Sequence, residues 1–315
     1  MARPPTPRAG SPHMDIELMK QLEFTDDGSA RRLRGVSGRL VAAIVTDIAS
    51  PFYSEVNRVT EDRLAEDHCM MLMCGIGLQA DQEARMLTWL QEQGVRGIVI
   101  SPVRDDLTRL QEISGRGTPV VLLDRLPGRA DLCAVSVDHR AGGILAGEHL
   151  LRLGHRRIAF LGPSPVTVTA VKERRQGLRE AMRDAGLDPD RDLVDIRVPA
   201  PNLVEAADAA VNMIVTMKDP VTAIACMNDM TALGVLQGLG RHGVHVPEEI
   251  SVIGYDDVTF ASRLAPALST IRQPTHALGR TAAELLLEEA EPGHQHRTAR
   301  FQPQLIVRAS TAKAG

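Results

Sequence analysis

The sequence predicts an α/β fold in which two doubly wound parallel sheets enclose a ligand-binding cleft. Short apolar runs alternate with helical patterns from residue 40 onward, which is typical of parallel strands joined by helices. The alternation pauses near Gly154 and restarts, so two blocks of similar architecture follow one another. Many apolar runs end in polar residues, and ligands of such folds bind beyond the carboxyl ends of the strands.

Residues 221–257 show this architecture most clearly. An apolar run precedes Asn228 and Asp229, whose side-chain oxygens are suited to cap the first turn of a helix. A helical leucine pattern follows and ends near Gly243, and a second apolar run leads to Asp256. A strand, a helix and a strand in so short a stretch form a βαβ unit, so both strands are parallel and end at the same edge of the sheet.

The same alternation assigns the remaining elements. In the first block, strands are predicted at 40–45, 69–74, 97–100, 119–123 and 135–137, and helices at 52–66, 81–93 and 105–114. A helix predicted at 141–153 closes the first block. In the second block, helices are predicted at 169–185 and 203–217, and strands at 158–161, 194–198, 223–227 and 250–255. An apolar run at 269–271, a helix at 278–289 and an extended segment at 301–307 fit neither block. We therefore expect crossovers between two lobes, one of residues 38–156 plus about 271–297 and one of residues 157–270 plus about 298–315.

The composition is that of an ordinary globular protein. Of 315 residues, 43% are hydrophobic and 24% are charged, and the net charge of −4 gives no sign of a basic, nucleic-acid-binding body. No apolar run approaches the ~20 residues of a membrane-spanning helix, and the N-terminus lacks the apolar core of a secretion signal, so we expect a cytoplasmic protein. The four cysteines are scattered, which predicts free buried thiols.

No motif of an enzyme stands out. The sequence lacks a Walker A loop, a Gly-x-Ser-x-Gly elbow and a His-Glu-x-x-His pair, and nothing nominates a nucleophile with its base. Residues 75–80 fit the G-x-G-x-x-A dinucleotide fingerprint, but the next strand ends at Ser101 rather than at an acidic residue, which favours an ordinary turn. We predict a binding protein without cofactor or metal. An NAD-dependent enzyme is an alternative that rests only on these glycines.

Polar side chains at the strand ends are the candidate ligand contacts. Asp47, Asp138, Asn228 and Asp256 each close a predicted strand, where a side chain can either contact a ligand or cap the following helix. Four such residues on facing edges favour ligand contact over capping alone.

Three more residues are candidates on weaker patterns. Arg174 lies in a predicted helix among other basic residues, which is also the pattern of a solvated helix face. Phe52 and Tyr53 open the first helix beside Asp47, and they either stack on a ligand or pack in the core.

Several motifs together resemble the lactose-repressor (LacI) family of bacterial transcription regulators. They occur in the family's order, at 47–53 (DIASPFY, with Ser50 where asparagine is usual), 119–125 (PVVLLDR), 154–158 (GHRRI), 228–229 (ND), 253–257 (IGYDD) and 268–274 (LSTIRQP). The resemblance implies two periplasmic-binding-protein-like lobes, joined by three crossovers, around a cleft that binds a small effector such as a sugar. It covers nearly everything from Asp15 onward.

The resemblance also implies roles for individual residues. Arg174 lies three positions before Gly177, as the family's ligand-binding arginine does. Asn228 and Asp256 match the family's cleft asparagine and aspartate, whereas Asp138 and Asn202 are matched more loosely. An aromatic residue that often lines the cleft near Asn202 is missing here, which leaves the ligand class open.

The N-terminal segment departs from the family pattern. Residues 1–14 are interpreted as a disordered leader, and residues 15–37 as the last part of a DNA-binding headpiece with its hinge. Ser29, Arg31, Arg32 and Leu33 resemble the hinge helix, whose leucine wedges into the minor groove of DNA. The implied partner is operator DNA, bound weakly or not at all by this chain, because most of the base-reading headpiece is not matched.

The resemblance further implies a homodimer. Apolar helix faces near Met86 and Leu90 are candidates for its interface. A solute-binding protein of a transporter shares the fold and is the alternative function, but the missing secretion signal and the basic hinge disfavour it.

Overall fold

The computed structural model describes residues 38–164, 168–199, 203–291 and 293–315, and it contains two six-stranded sheets. The first sheet comprises β1 (Leu40–Val45), β2 (Met70–Gly75), β3 (Gly97–Ile100), β4 (Val120–Leu123), β5 (Cys133–Val137) and β11 (Thr298–Phe301). Its order is β11-β5-β4-β3-β1-β2, and all of its pairs are parallel. This sheet therefore has its carboxyl ends at one edge.

The second sheet repeats this arrangement. It comprises β6 (Ile158–Ser164), β7 (Leu193–Pro199), β8 (Ala223–Cys226), β9 (Ser251–Asp256), β10 (Ser269–Arg272) and β12 (Gln304–Ile306). Its order is β12-β10-β9-β8-β6-β7, with only the edge strand β12 antiparallel. The predicted fold class, two parallel sheets in two successive blocks, is confirmed.

Helices cover both faces of each sheet. Those of the first sheet are α1 (Pro51–Glu66), α2 (Ala80–Gln93), α3 (Thr108–Gly115) and α9 (Thr275–Glu289). Those of the second sheet are α4 (His139–Arg152), α5 (Thr169–Asp184), α6 (Pro189–Asp192), α7 (Leu203–Val215) and α8 (Asp229–Arg241). A short 3₁₀ turn, Ala261–Arg263, precedes β10.

Each sheet separates two apolar cores. In β1, Val41 and Val45 belong to one core, and Ala42 and Ile44 belong to the other, because successive side chains of a strand point to opposite faces. Such strands are apolar throughout, as the sequence shows, since both of their faces are buried. The four cysteines are free and buried within these cores, as predicted.

The chain crosses between the sheets three times, from β5 to α4, from β10 to α9 and from β11 to β12. The predicted extended segment at 301–307 contains β12, and β11, which comes just before it, was not predicted. Thr298–Phe301 pairs with β5 in the first sheet, so the assignment of residues from about 298 to the second lobe was wrong at this point. β11 supplies hydrogen-bond partners to the outer edge of β5. If the chain had crossed to the second sheet before residue 298, that edge would have been left unpaired.

Two further observations concern surfaces. Leu90 is fully buried in the core under α2, so its side chain does not contribute to the predicted interface, and Met86 is partly buried against the same core. Among the residues that the structure describes, no helix has the length and apolarity to cross a membrane.

Candidate functional site

A cavity of ≈ 520 Å³ lies where the carboxyl ends of strands from the two sheets face each other. Its lining follows the ends of β1, β2, β4, β6, β8 and β9, as expected for parallel α/β sheets. Six of the eight predicted effector contacts line it, namely Asp47, Phe52, Tyr53, Arg174, Asn228 and Asp256.

Phe52 and Tyr53 form the floor on the side of the first sheet. Helix α1 begins at Pro51, which brings both rings in its first turn to the end of β1. The rings meet edge to face with centroids 5.1 Å apart, and both side chains also belong to the apolar core. The Tyr53 hydroxyl lies 3.0 Å from Ser101 Oγ, and burial raises the pKa of Tyr53 to about 12. The phenol therefore stays protonated and can donate a hydrogen bond.

Arg174 supplies the cation of the cavity wall. It lies in α5 and is buried, with its Nη1 donating to the Met227 carbonyl oxygen over 2.7 Å. Its guanidinium carbon lies 3.7 Å from the centroid of the Tyr255 ring, a cation–π contact, and Nη1 is 3.8 Å from Asp256 Oδ1. These contacts hold the guanidinium in one orientation, so the solvated helix face is not its environment.

Asp256 ends β9 with a backbone φ of 112°, which is strained for a residue with a side chain. Its Oδ1 accepts a hydrogen bond of 2.7 Å from Gln273 Nε2. Burial raises the pKa of Asp256 to about 7, against the opposing effect of Arg174. Strain and a perturbed carboxyl at one cavity residue are features of functional sites.

Asn228 and Asp47 combine local hydrogen bonding with a place in the cavity lining. Asn228 Oδ1 accepts from the Thr231 backbone N–H at 2.9 Å and from Thr231 Oγ1 at 2.7 Å, which caps α8. Asp47 Oδ1 accepts from the Ala49 N–H at 2.8 Å in the turn that leads to α1. Capping and ligand contact are therefore not alternatives here, because the Asn228 amide keeps its N–H donors.

Asp138 is a correction to the predicted site. It does not line the cavity, and its Oδ1 caps α4 by accepting from the Ala141 N–H at 2.9 Å. The same oxygen lies 2.9 Å from Arg300 Nη2, so the carboxylate forms an ion pair with an arginine of β11. Asn202 lies outside the described residues, as do Ser29, Arg31, Arg32 and Leu33.

The prediction missed Asp124, which also lines the cavity. It follows β4, has φ of 61° and is buried, and its Oδ1 lies 2.6 Å from His139 Nε2. The rule that selected the other aspartates, a polar residue closing an apolar run, applies equally to Asp124. No comparable signal marks His139 or Tyr255, because both owe their position to tertiary contacts.

The glycine-containing loop that resembles a dinucleotide fingerprint also borders the cavity, through Gly75, Gly77, Leu78 and Gln79. Gly77 has a backbone φ of +59°, which glycine adopts readily, so an ordinary turn explains the glycine at this position, as expected. The remaining wall is largely apolar and includes Ile48, Val168 and Met227.

This arrangement is suited to binding rather than to covalent chemistry. His139 contacts both Asp124 and the Tyr255 hydroxyl, an order of groups that could activate a nucleophile. Burial raises the pKa of the Tyr255 phenol far above its usual value, however, so this hydroxyl is no nucleophile. Within the described ranges, no three His, Cys, Asp or Glu side chains are grouped to hold a metal ion. What remains is a set of fixed donors and acceptors facing an apolar wall, which is typical of small-molecule pockets.

Comparisons with known proteins agree with this geometry. The model of the periplasmic binding protein-like domain family matches residues 148–311. The HTH-type transcriptional repressor PurR of Aliivibrio fischeri (strain MJ11) is 30% identical over 93% of this chain and 87% of the relative. The chain belongs to the LacI family of transcription regulators.

Other members of the family support the assignment. The HTH-type transcriptional regulator DegA of Bacillus subtilis (strain 168) is 29% identical over 94% of this chain and 88% of the relative. A LacI family regulator from Enterococcus faecium, solved with bound ribose, has a TM-score of 0.80 and 28% identity, covering 88% of this chain and all of the other. The regulator CelR, solved with cellobiose, has a TM-score of 0.76 and 27% identity, covering 96% and 92%. These relatives are regulators, which favours a regulator over a transporter component or an enzyme.

Proposed function

We propose that this LacI-family chain binds a small hydroxylated effector, such as a sugar, in the interlobe cavity and thereby controls the binding of operator DNA. The observation that carries the proposal is the convergence of Arg174, Asp256 and Phe52 on one cavity, from both sheets. Two relatives of the same fold were solved with ribose and with cellobiose.

The roles of the cavity residues follow from their chemistry. The Arg174 guanidinium has several N–H donors besides the one bound to the Met227 carbonyl oxygen, and such donors suit hydroxyl or carboxylate oxygens. Asp256 and Asp47 accept hydrogen bonds from hydroxyl groups, and the Asn228 amide donates. The Phe52 ring and the apolar wall would meet the C–H face of a sugar ring.

Control of DNA binding follows from a cavity shared by two lobes. A ligand that contacts both walls binds best to one relative arrangement of the lobes and increases its population. The two sheets are joined by three crossovers, which permit such a change without unfolding either core.

We also propose that Ser29, Arg31, Arg32 and Leu33 form a hinge that contacts the operator. Three arginines neutralise only a few phosphates, and the chain as a whole has a net charge of −4. We therefore expect this chain alone to bind DNA weakly or not at all, and a gel-shift that shows tight, sequence-selective binding would contradict this assignment. Leu33→Ala should weaken operator binding further by removing the wedge.

Thermal unfolding in the presence of candidate effectors tests the proposal. A panel of pentoses, hexoses, disaccharides and purine bases is screened, because a ligand at 100 times its dissociation constant adds about 2.7 kcal/mol to the stability of the folded state. We expect at least one sugar to raise the melting temperature. Val168→Trp, which fills the cavity, should abolish the shift, whereas the exposed Val307→Trp should preserve it. No shift with any compound, or an equal shift in Val168→Trp, would overturn the proposal.

A further inference from the structure

A buried chain of polar side chains lies behind the cavity wall, centred on His139. The imidazole is 1% exposed, and its Nε2 lies 2.6 Å from Asp124 Oδ1. Its Nδ1 lies 3.3 Å from Arg174 Nε and 3.2 Å from the Tyr255 hydroxyl. Asp124 and Arg174 line the cavity, whereas His139 does not, so it acts on the cavity only through them.

These contacts decide which ring nitrogen of His139 carries the proton. Arg174 Nε–H can only donate, so the Nδ1 that it approaches must be an acceptor. The proton then lies on Nε2, which donates to the Asp124 carboxylate. The imidazole is thus an oriented, two-sided connector that accepts on one side and donates on the other.

The two sides of this connector belong to different lobes. Asp124 follows β4 of the first sheet, whereas Arg174 lies in α5, which packs on α4 and the second sheet. His139 is the first residue of α4, directly after the crossover from β5. The surroundings are tightly filled, because a side-chain carbon at Gly142 would lie 2.3 Å from the Tyr255 hydroxyl. The ring therefore has little freedom to shift away from its partners.

We propose that His139 is a positioning residue for effector recognition, fixing Arg174 of one lobe relative to Asp124 of the other so that both act on one ligand. The proposal rests on the proposed function, because it assumes that the cavity binds an effector. Arg174 is held at its Nε by His139 and at one Nη1 hydrogen by Met227, which directs the rest of the guanidinium to the cavity. A long flexible side chain fixed in this way loses less conformational entropy when the ligand binds.

Two substitutions separate positioning from space filling. His139→Leu fills a similar volume but neither accepts from Arg174 nor donates to Asp124. His139→Asn offers an oxygen near the position of Nδ1 and so restores the acceptor for Arg174. His149→Asn is the matched control, because His149 is a buried histidine of the same helix that instead contacts Thr311 at 2.9 Å.

The first readout needs no ligand. In ¹⁵N spectra of the free protein we expect the His139 ring, identified by its loss in His139→Asn, to show the neutral Nε2–H pattern. The Arg174 Nε–H signal should exchange slowly with water in the wild type and in His149→Asn, and rapidly in His139→Leu. An Nδ1–H pattern, or unchanged Arg174 exchange in His139→Leu, would overturn the proposal.

The second readout is calorimetric titration with D-ribose and with cellobiose as probes. For a probe that binds the wild type, we expect His139→Leu to weaken binding about tenfold or more and His139→Asn to weaken it less. His149→Asn should bind as the wild type does. Full affinity in His139→Leu would overturn the positioning role while leaving the proposed function intact. If neither probe nor any panel compound binds the wild type, the proposed function itself fails, and the role in recognition fails with it.

Discussion

His155 connects the second sheet to the C-terminal segment. Its Nε2 lies 3.0 Å from the Ala312 carbonyl oxygen, which can only accept, so Nε2 carries the proton and donates. Its Nδ1 then accepts from Thr222 Oγ1 at 2.9 Å. Burial lowers the pKa of His155 below its usual value of 6.5, because the neutral ring fits this environment and the cation does not.

This arrangement predicts a pH-dependent contribution to stability. The unfolded chain binds the proton more readily, so the contribution of His155 is complete above about pH 6.5 and is lost as the pH falls below that value. We expect His155→Asn to cost about 1–3 kcal/mol of unfolding free energy near neutral pH. Between about pH 7 and pH 5 the wild type should lose part of this advantage. Urea unfolding of the wild type and of His155→Asn at several pH values measures their difference in unfolding free energy. A difference that stays constant with pH would contradict the prediction.

At the scale of single residues, the sequence predicted where the site lies better than what each side chain does. Asp138 and Asp256 carry the same signal, an aspartate that closes an apolar run, yet Asp138 caps a helix outside the cavity and Asp256 lines it. The distinction depends on the orientation of the following backbone, such as the φ of 112° at Asp256, which no local pattern reveals. His139 and Tyr255 could not be predicted because their partners lie far away along the chain.

At the scale of elements, the crossing of α4 and α5 sets the position of Arg174. The two helices approach so closely that a side-chain carbon at Gly143 would lie 2.0 Å from the Arg174 carbonyl oxygen, and one at Gly177 would lie 2.0 Å from that of Arg140. Both contacts are with backbone atoms, so they cannot be relieved by rotating a side chain. Glycine at these two positions therefore permits the contact that carries Arg174 to the cavity.

We expect Gly143→Ala to force the two helices apart. The added methyl group should cost about 1–3 kcal/mol by overpacking and should weaken effector binding by displacing Arg174. Gly240→Ala is the control, because nothing lies within 4 Å of a carbon added there in α8, and alanine is favoured over glycine in a helix by about 0.5–1 kcal/mol. Unfolding midpoints and effector titrations measure both effects, and equal behaviour of the two variants would show that the crossing tolerates the methyl group.

The helices and the apolar strands were predictable from the sequence, whereas the partly exposed strands β11 and β12 were not. The buried strands of both sheets read as apolar runs because both of their faces are covered. β11 (TARF) and β12 (QLI) are partly exposed and form no continuous apolar run, so β11 was missed and β12 appeared only as part of an extended segment. Their assignment to different sheets depends on which edge strand lacks a partner, which is a property of the whole fold.

At the scale of the whole molecule, we propose that the chain forms a homodimer through the outer edge of the first sheet. β2 is an edge strand, and large apolar side chains are exposed on it, with Met70 at 72% and Met73 at 38%. The predicted helix faces near Met86 and Leu90 are a second candidate surface, in which Leu90 is buried and Met86 is partly buried. An exposed edge strand of this kind is stabilised when another chain covers it.

Sedimentation at micromolar concentration tests the dimer. We expect a mass about twice the chain mass of 34.2 kDa. Met70→Glu should shift the equilibrium toward monomer, because it would place a carboxylate in an apolar interface. Met213→Glu is the control, since Met213 is 49% exposed but lies in α7, away from β2. A monomeric wild type would contradict the proposal, and an equal effect of both variants would move the interface elsewhere.

We propose that the interlobe cavity, with Arg174 and Asp256 on its wall, is the effector site. Calorimetric titration of the sugar that gives the largest thermal shift tests it most directly, with Arg174→Ala and Asp256→Ala beside the wild type. Arg175→Ala is the matched control, because Arg175 is the neighbouring arginine of α5 but pairs with Asp195 and does not line the cavity. We expect binding to weaken about tenfold or more in both cavity variants and to stay unchanged in Arg175→Ala. Unchanged affinity in both cavity variants would contradict it.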